Sequence, residues 1–175
     1  MEPPEMINAG ALVLKRWELA WAEELTAAVR ESLPELKPFL PWAADDYELA
    51  SARAYLADSD QRWEKGTDFQ YAVFTTIGDL IGSIGLHTRR GPDTMEIGYW
   101  LRTPFAGRGH TTAAVRTLTR VVSALPGITK VAIVHDVRNL ASGRVAEKAG
   151  FTEAARRVTE AGDTEIIRER PAGDC

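Results

Sequence analysis

Between Phe105 and Val115 the chain reads FAGRGHTTAAV. Gly107 and Gly109 bracket Arg108, His110 and Thr111 follow, and apolar residues then recur at helical spacing. A glycine turn that opens a helix leaves the first N–H groups without intrahelical acceptors and adds the positive end of the helix dipole, which favours an anion. Glycine also lets a phosphate approach the backbone closely. The plainer reading is a tight turn. The Gly-Lys-Ser/Thr of a Walker loop is missing, and the helix is not part of an early strand–helix–strand unit, as a dinucleotide fingerprint requires. Glu96 is the second residue of interest. It lies in MEIGYWLR, Met95 to Arg102, among apolar and aromatic neighbours. A carboxylate partly buried there gains proton affinity and becomes a candidate base; the alternative is an exposed or paired surface Glu. Asn139 and Ser142 stand where a later helix begins, and both residue types cap helices well. His135 ends the run KVAIVH and reads as a second base or as a satisfied structural histidine, while His87 has a similar structural reading at a strand end. No grouping of His, Cys and carboxylates demands a metal.

The elements that position these residues follow from periodicity. Residues 1–10 read as a loose tail with two prolines, and Ala11 to Lys15 as a first strand. From Glu18 to about Glu31 the pattern is helical, with Trp21, Leu25 and Val29 on one face. Pro34, Pro38 and Pro41 make LPELKPFLPW an apolar, proline-stiffened loop. Asp45 and Asp46 begin a second helix that runs to about Lys65. Phe69, Tyr71 and Val73 alternate in one strand, and Leu80, Gly82, Ile84 and Leu86 line one side of the next, with Gly78-Asp79 as the hairpin turn. Met95 to Arg102 forms a third strand of this group, ended by Pro104. A helix from about Gly109 to Leu125 stops at Pro126-Gly127. Lys130 to His135 is a buried central strand, followed by a helix that ends at Lys148 with Gly150 as its stop. Two short strands, near Thr152 to Thr159 and Thr164 to Arg170, flank a turn at Ala161-Gly162-Asp163. The pattern predicts one mixed α/β domain over residues 11–170, between tails at 1–10 and 171–175, without internal repeats.

Composition narrows the function classes. With 175 residues, 45% hydrophobic and 26% charged, the chain has the make-up of one soluble globular domain. A formal charge of −4 argues against non-specific nucleic-acid binding, which needs a strong positive field. The single cysteine, Cys175, permits no internal disulfide, so a reducing cytoplasm is the default. The N-terminus does not read as a signal peptide, and no segment reads as a membrane span.

From Glu96 to Phe151 the sequence EIGYWLRTPFAGRGHTTAAVRTLTR…KVAIVHDVRNLASGRVAEKAGF resembles the GNAT acyltransferase superfamily, and within it the RimJ/RimL-type ribosomal-protein N-acetyltransferases. EIGYWL before the loop, GRG at the helix start and N-x-x-S…EKAGF after the buried strand carry the resemblance, and the FLPW loop agrees with it. The resemblance implies a mostly antiparallel twisted sheet flanked by about four helices. It also implies acetyl-CoA as co-substrate, without a metal. Backbone N–H groups of Ala106 to Thr111 (Ala106, Gly107, Arg108, Gly109, His110 and Thr111) would hold the pyrophosphate. The family opens this loop with Gln or Arg and closes it with Gly or Ala. Ala106 and Thr111 depart from that pattern; main-chain donors survive both changes, but Thr111 adds bulk.

N-acetyl transfer needs a neutral amine, donors for an oxyanion and support for a leaving thiolate. The resemblance implies direct attack in a ternary complex, with a backbone N–H between Tyr99 and Leu101 polarising the thioester. By the same resemblance Asn139 holds the pantetheine arm and Ser142 sits near the CoA sulfur. Many relatives place a tyrosine acid one turn later, where this chain has Ala146. Arg144 either reaches the CoA phosphates or pairs with Glu147 or Asp136. Trp42, Trp100 and Tyr99 wall the acceptor groove or serve as core, and Glu96 faces the amine. The acceptor implied is a protein α-amine. A small amine of aminoglycoside or polyamine type, a succinyl donor and a non-catalytic acyl-CoA-binding module remain alternatives. Dimers are common in this branch.

Overall fold

The computed structural model describes residues 2–173. Eight strands form one sheet: β1 (Met6–Ala9), β2 (Leu12–Arg16), β3 (Asp68–Thr75), β4 (Leu80–His87), β5 (Thr94–Leu101), β6 (Lys130–Asp136), β7 (Thr152–Val158) and β8 (Thr164–Pro171). Their order is β1-β2-β3-β4-β5-β6-β8-β7, and every neighbouring pair is antiparallel except β5–β6. The helices are α1 (Ala22–Glu31), α2 (Leu33–Leu36), α3 (Leu49–Glu64), α4 (His110–Ser123) and α5 (Leu140–Lys148), with short 3₁₀ turns at Leu19–Trp21 and Thr103–Phe105. The expected mixed, mostly antiparallel architecture is present. The fifth helix, α2, is a single turn inside the segment expected to be a proline-stiffened loop, with Pro34 in its first turn where the missing N–H costs nothing.

Strand alternation sorts the core into two layers. Leu12, Leu14, Phe69, Tyr71, Ile84, Leu86 and Ile97 pack with Leu118 and Val122 of α4 on one face. Trp17, Ala72, Phe74 and Leu80 pack with Leu25 and Val29 of α1 and Leu56 of α3 on the other. Leu80 was expected on the side of Ile84, but the β3–β4 register shifts after Val73, which pairs with Gly82 while Phe74 pairs with Leu80. The bulge sends Ile81 to the α4 face and Leu80 to the α1 face.

Both tails are shorter than expected. Met6–Ala9 pairs with β2 and buries Ile7 and Ala9, a period-two pattern that the prolines at 3 and 4 obscured. At the other end β8 runs to Pro171, and Ala172 is buried, its N–H bonded to the Thr129 carbonyl at 2.9 Å. The second helix begins at Leu49, not at Asp45 or Asp46; Ser51 Oγ turns back to accept the Glu48 N–H at 3.2 Å. Cys175 lies outside the described residues.

The parallel pair positions the site. β5 and β6 pair only through Thr94–Lys130, Met95–Val131 and Glu96–Ala132. Beyond Glu96, β5 continues with β4 as far as Leu101, and β6 continues with β8 as far as Asp136. The sheet therefore forks at the carboxyl ends of two parallel strands, the usual place for a ligand crevice in an open α/β sheet. α4 begins after β5 and α5 begins after β6, so both helix N-termini stand at the fork.

Candidate functional site

The first wall of the fork is the glycine turn. Gly107 and Gly109 adopt φ of +74° and +79°, the left-handed region that side chains resist. Gly109 is the N-cap of α4, and the first helical bond runs from the Ala113 N–H to its carbonyl at 3.1 Å. Among the described residues, no N–H from Gly107 to Thr112 donates to a protein acceptor. No protein atom lies within 4 Å of where a Cβ on either glycine would stand. Six successive amides without a protein acceptor at a helix N-terminus suit a pyrophosphate by the physics that favours anions there. Arg108 is exposed, its guanidinium 5.6 Å from the Phe105 ring centroid. Ala106 is exposed, and Thr111 is half-buried with His110 beside Tyr99, Trp100 and Leu101. His110 thus faces the fork rather than bulk water.

The open edge of β5 is the second wall. The Arg102 N–H donates to the Ile81 carbonyl of β4 at 2.7 Å. Peptide groups alternate sides along a strand, so the N–H groups of Tyr99 and Leu101 point into the fork. The Tyr99 side chain lies on the α4 and α5 face, not beside Trp100 as expected. Its hydroxyl donates to the Ser142 carbonyl at 3.1 Å and shares a hydrogen bond with Ser142 Oγ at 2.9 Å. Burial pushes the Tyr99 phenol up to about 12, against the smaller effect of the Ser142 hydrogen bond. A neutral tyrosine thus joins β5 to α5 across the fork. Its place in EIGYWL gave no sign of this, because the partner lies 43 residues away.

The start of α5 is the third wall. Asn139 is its N-cap, and its Oδ1 accepts the Ser142 N–H at 3.1 Å. Ser142 keeps its hydroxyl for Tyr99, so capping falls to Asn139 and not to Ser142. Arg144 is exposed, and neither anticipated partner engages it: Glu147 pairs with Arg168 and Asp136 with Arg138. His135 packs against Gly143 of α5, accepts from Arg168 Nε at Nε2 (2.9 Å) and donates from Nδ1 to the Asp136 carbonyl (2.9 Å). Both ring nitrogens are used, which makes His135 structural.

Glu96 differs from both sequence-based alternatives. Its side chain is only 4% exposed, yet Arg89 Nη2 donates to Oε1, and Arg90 Nη1 stands 3.6 Å from Oε2. It is a buried carboxylate paired with two arginines. Glu96 and Trp100 share the α1–α3 face of β5, opposite the side chain of Tyr99. On that face a cleft of about 160 Å³ is lined by Leu25, Trp42, Asp46, Tyr47, Tyr55 and Trp100. Trp42 is 44% exposed, with ring centroids 6.0 Å from both Tyr47 and Trp100. Trp42 and Trp100 are therefore brought together, on the face away from Ser142.

The sequence matches the family "Acetyltransferase (GNAT) domain" over residues 11–152. The chain belongs to the GNAT acetyltransferases. It is 30% identical over 150 residues to the "Probable N-acetyltransferase YjcK" of Bacillus subtilis (strain 168), covering 83% of each chain. It is 38% identical over 143 residues to the "Putative ribosomal N-acetyltransferase YdaF" of the same organism, covering 77% of this chain and 74% of that one. The fold is also that of RimL, a ribosomal L7/L12 α-N-protein acetyltransferase solved with coenzyme A, at TM-score 0.88 and 21% identity over 97% of this chain and 100% of RimL. Acetyl-CoA, the co-substrate of the GNAT acetyltransferases, fits the amide cradle and the forked strands. Among the described residues there is no group of three or more His, Cys, Asp or Glu that could hold a metal, and no helix is long and apolar enough to cross a membrane.

Proposed function

We propose that this GNAT chain transfers an acetyl group to a protein N-terminal α-amine, with both substrates bound at once. The observation that supports this reading is the pair of hollows along β5: one beside the glycine turn, with His110 and Thr111, and an aromatic cleft on the α1–α3 face, both touching Trp100. Acetyl-CoA supplies the acetyl group as a thioester, whose carbonyl carbon takes the acceptor nitrogen. The N–H groups of Ala106 to Thr111 bind the pyrophosphate, with Arg108, His110 and Arg144 adding charge or contact around it. Asn139 fixes the start of α5 and faces the pantetheine arm. The Leu101 or Tyr99 N–H donates to the thioester oxygen, a fixed donor aimed where charge develops. The Ser142 hydroxyl, with the neutral Tyr99 behind it, supports the departing sulfur. Trp42 and Trp100 orient the acceptor, and Asp46 at the rim suits a cationic chain. Glu96 binds the loop of Arg89 and Arg90 to the acceptor-side floor. The protein acceptor is supported by the name of YdaF and by that of RimL.

The test begins with calorimetric titration by acetyl-CoA, succinyl-CoA and CoA. Peptides with free N-termini, the same peptides blocked at the α-amine, polyamines and an aminoglycoside are then compared as acceptors. Binding at about micromolar concentration and acetylation of unblocked peptides alone are expected. Faster turnover of a polyamine or aminoglycoside would replace the protein acceptor with a small amine.

A further inference from the structure

With Glu96 held by Arg89 and Arg90, the acceptor amine needs another proton acceptor on the α1–α3 face. Two glycines mark where one stands. Gly85 of β4 and Gly98 of β5 are directly opposite each other in the register. A Cβ on Gly85 would collide with the Gln70 side chain, and one on Gly98 would stand 3.1 Å from His87 Nε2. The pair makes a floor without side chains, over which Gln70 and His87 lie.

His87 Nδ1 is hydrogen-bonded to Asp68 Oδ1 of β3. An ionised carboxylate only accepts, so Nδ1 carries the hydrogen, and the uncharged form of the ring has its lone pair at Nε2. Asp68 is held in turn by Arg62 of α3, with Nη1 3.6 Å from Oδ2. The charged and titratable groups around the ring are Asp68, Arg62, Arg89 with Glu96, and Tyr55, whose hydroxyl is 3.5 Å from Gln70 Oε1. Gln70 Nε2 is itself 3.5 Å from His87 Nε2, the outer limit of a hydrogen bond. The His87 side chain is 16% exposed and that of Asp68 15%, so the pair is not sealed from solvent.

Position links this dyad to the proposed chemistry. β5 leaves β6 after Glu96, so Gly98 lies at the beginning of the open edge. Tyr55 contacts Gln70 and, with Trp100, lines the aromatic cleft. His87 Nε2 therefore lies over Gly98, one residue before the Tyr99 amide, and reaches the cleft through Gln70 and Tyr55.

Resting on the acetyltransferase reading above, we propose that His87, oriented by Asp68, is the general base that takes the proton from the acceptor amine. As the nitrogen bonds to the carbonyl carbon, one N–H bond breaks and its electron pair stays on nitrogen. The proton moves to Nε2, and the resulting imidazolium is balanced by the Asp68 carboxylate. The C–S bond breaks with its electrons on sulfur, and the ring returns its proton to water.

His87→Gln should lower kcat/KM at least about 100-fold, with acetyl-CoA affinity in calorimetry unchanged. The wild-type kcat/KM profile should contain an inflection that H87Q loses, while the inflection of the amine itself remains. Asp68→Asn should also lower kcat/KM, because the ring loses the carboxylate that fixes its tautomer and balances the imidazolium. The chain has three histidines, so ¹⁵N spectra of the wild type can be assigned by comparison with H87Q. They should show His87 with its hydrogen on Nδ1, taking up a proton at the pH of the kinetic inflection. An unchanged rate and profile in H87Q, or a neutral ring with its hydrogen on Nε2, overturns the proposal while leaving acetyl transfer intact. A wild-type protein that binds acetyl-CoA but acetylates no amine overturns the parent reading and this one together. The NMR result does not depend on turnover, and if H87Q folds poorly the His87 signals are assigned instead by removing His110 and His135 in turn.

Discussion

Ser142 and Glu96 carry similar weight in the sequence but meet different surroundings. Ser142 Oγ faces a hydroxyl partner at 2.9 Å on the side of the fork assigned to CoA. Ser142→Ala should slow transfer about 10-fold or more with acetyl-CoA affinity maintained; equal turnover would leave Ser142 as only a helix residue that donates its N–H to Asn139. Glu96 faces two guanidinium groups from a 3%-exposed position. Glu96→Gln removes a charged hydrogen-bond acceptor and should cost about 1–3 kcal/mol of stability, roughly 2–4 °C of Tm per kcal/mol for a chain of this length. The shape of the pH–rate profile should survive. A lost inflection in E96Q with Tm unchanged would restore Glu96 as the base. The isolated strand MEIGYWLR shows an acid among apolar neighbours but nothing of Arg89 and Arg90, because only the following fold turns that loop over the strand. His87 was obscured for the same reason. Its value comes from Asp68 and Gly98, on two other strands.

At the scale of elements, the glycine turn was the most legible part. Two glycines, a following helical period and a preceding strand are local signals, and the structure puts strand, turn and helix there. The β5–β6 fork was not legible, since it depends on where a parallel pairing stops. Local patterns also misled where prolines flank a real strand, as at Met6–Ala9, and where two aspartates precede a helix that starts three residues later, at Leu49. The turn makes a direct prediction. At φ of +74° a Gly107→Ala side chain would project into open space, so strain and the narrowed cradle are its only effects. The strain amounts to about 1–2 kcal/mol. Affinity for CoA should fall more than Tm does. The comparison with dephospho-CoA, which keeps the pyrophosphate but lacks the 3′-phosphate, should show the same loss. A variant that binds both as the wild type does would separate the turn from phosphate binding.

At the scale of the whole molecule, tyrosine burial sets an alkaline limit. The chain has four tyrosines. Tyr47, Tyr55 and Tyr99 are each pushed up to about 12, and Tyr71 is pushed up as well, with burial the largest cause for all four. They sit in both core layers: Tyr71 and Tyr99 with α4, Tyr47 and Tyr55 with α1 and α3. A phenol whose folded value lies above its unfolded value of about 10 favours the folded state fully below pH 10. That contribution declines as pH rises from about 10 through the folded value, because the unfolded chain then binds fewer protons. The two layers share one sheet, so ionisation in either should unfold both. Tyrosinate absorbance in an alkaline titration should therefore rise in one step, coincident with loss of secondary structure and independent of which tyrosine is probed. Tyr99→Phe should keep a single step with the amplitude of three phenols instead of four, because the remaining tyrosines stay buried in both layers. A gradual rise near pH 10 with the circular dichroism intact would show that the phenols titrate in the folded protein, and would contradict the packing of both layers.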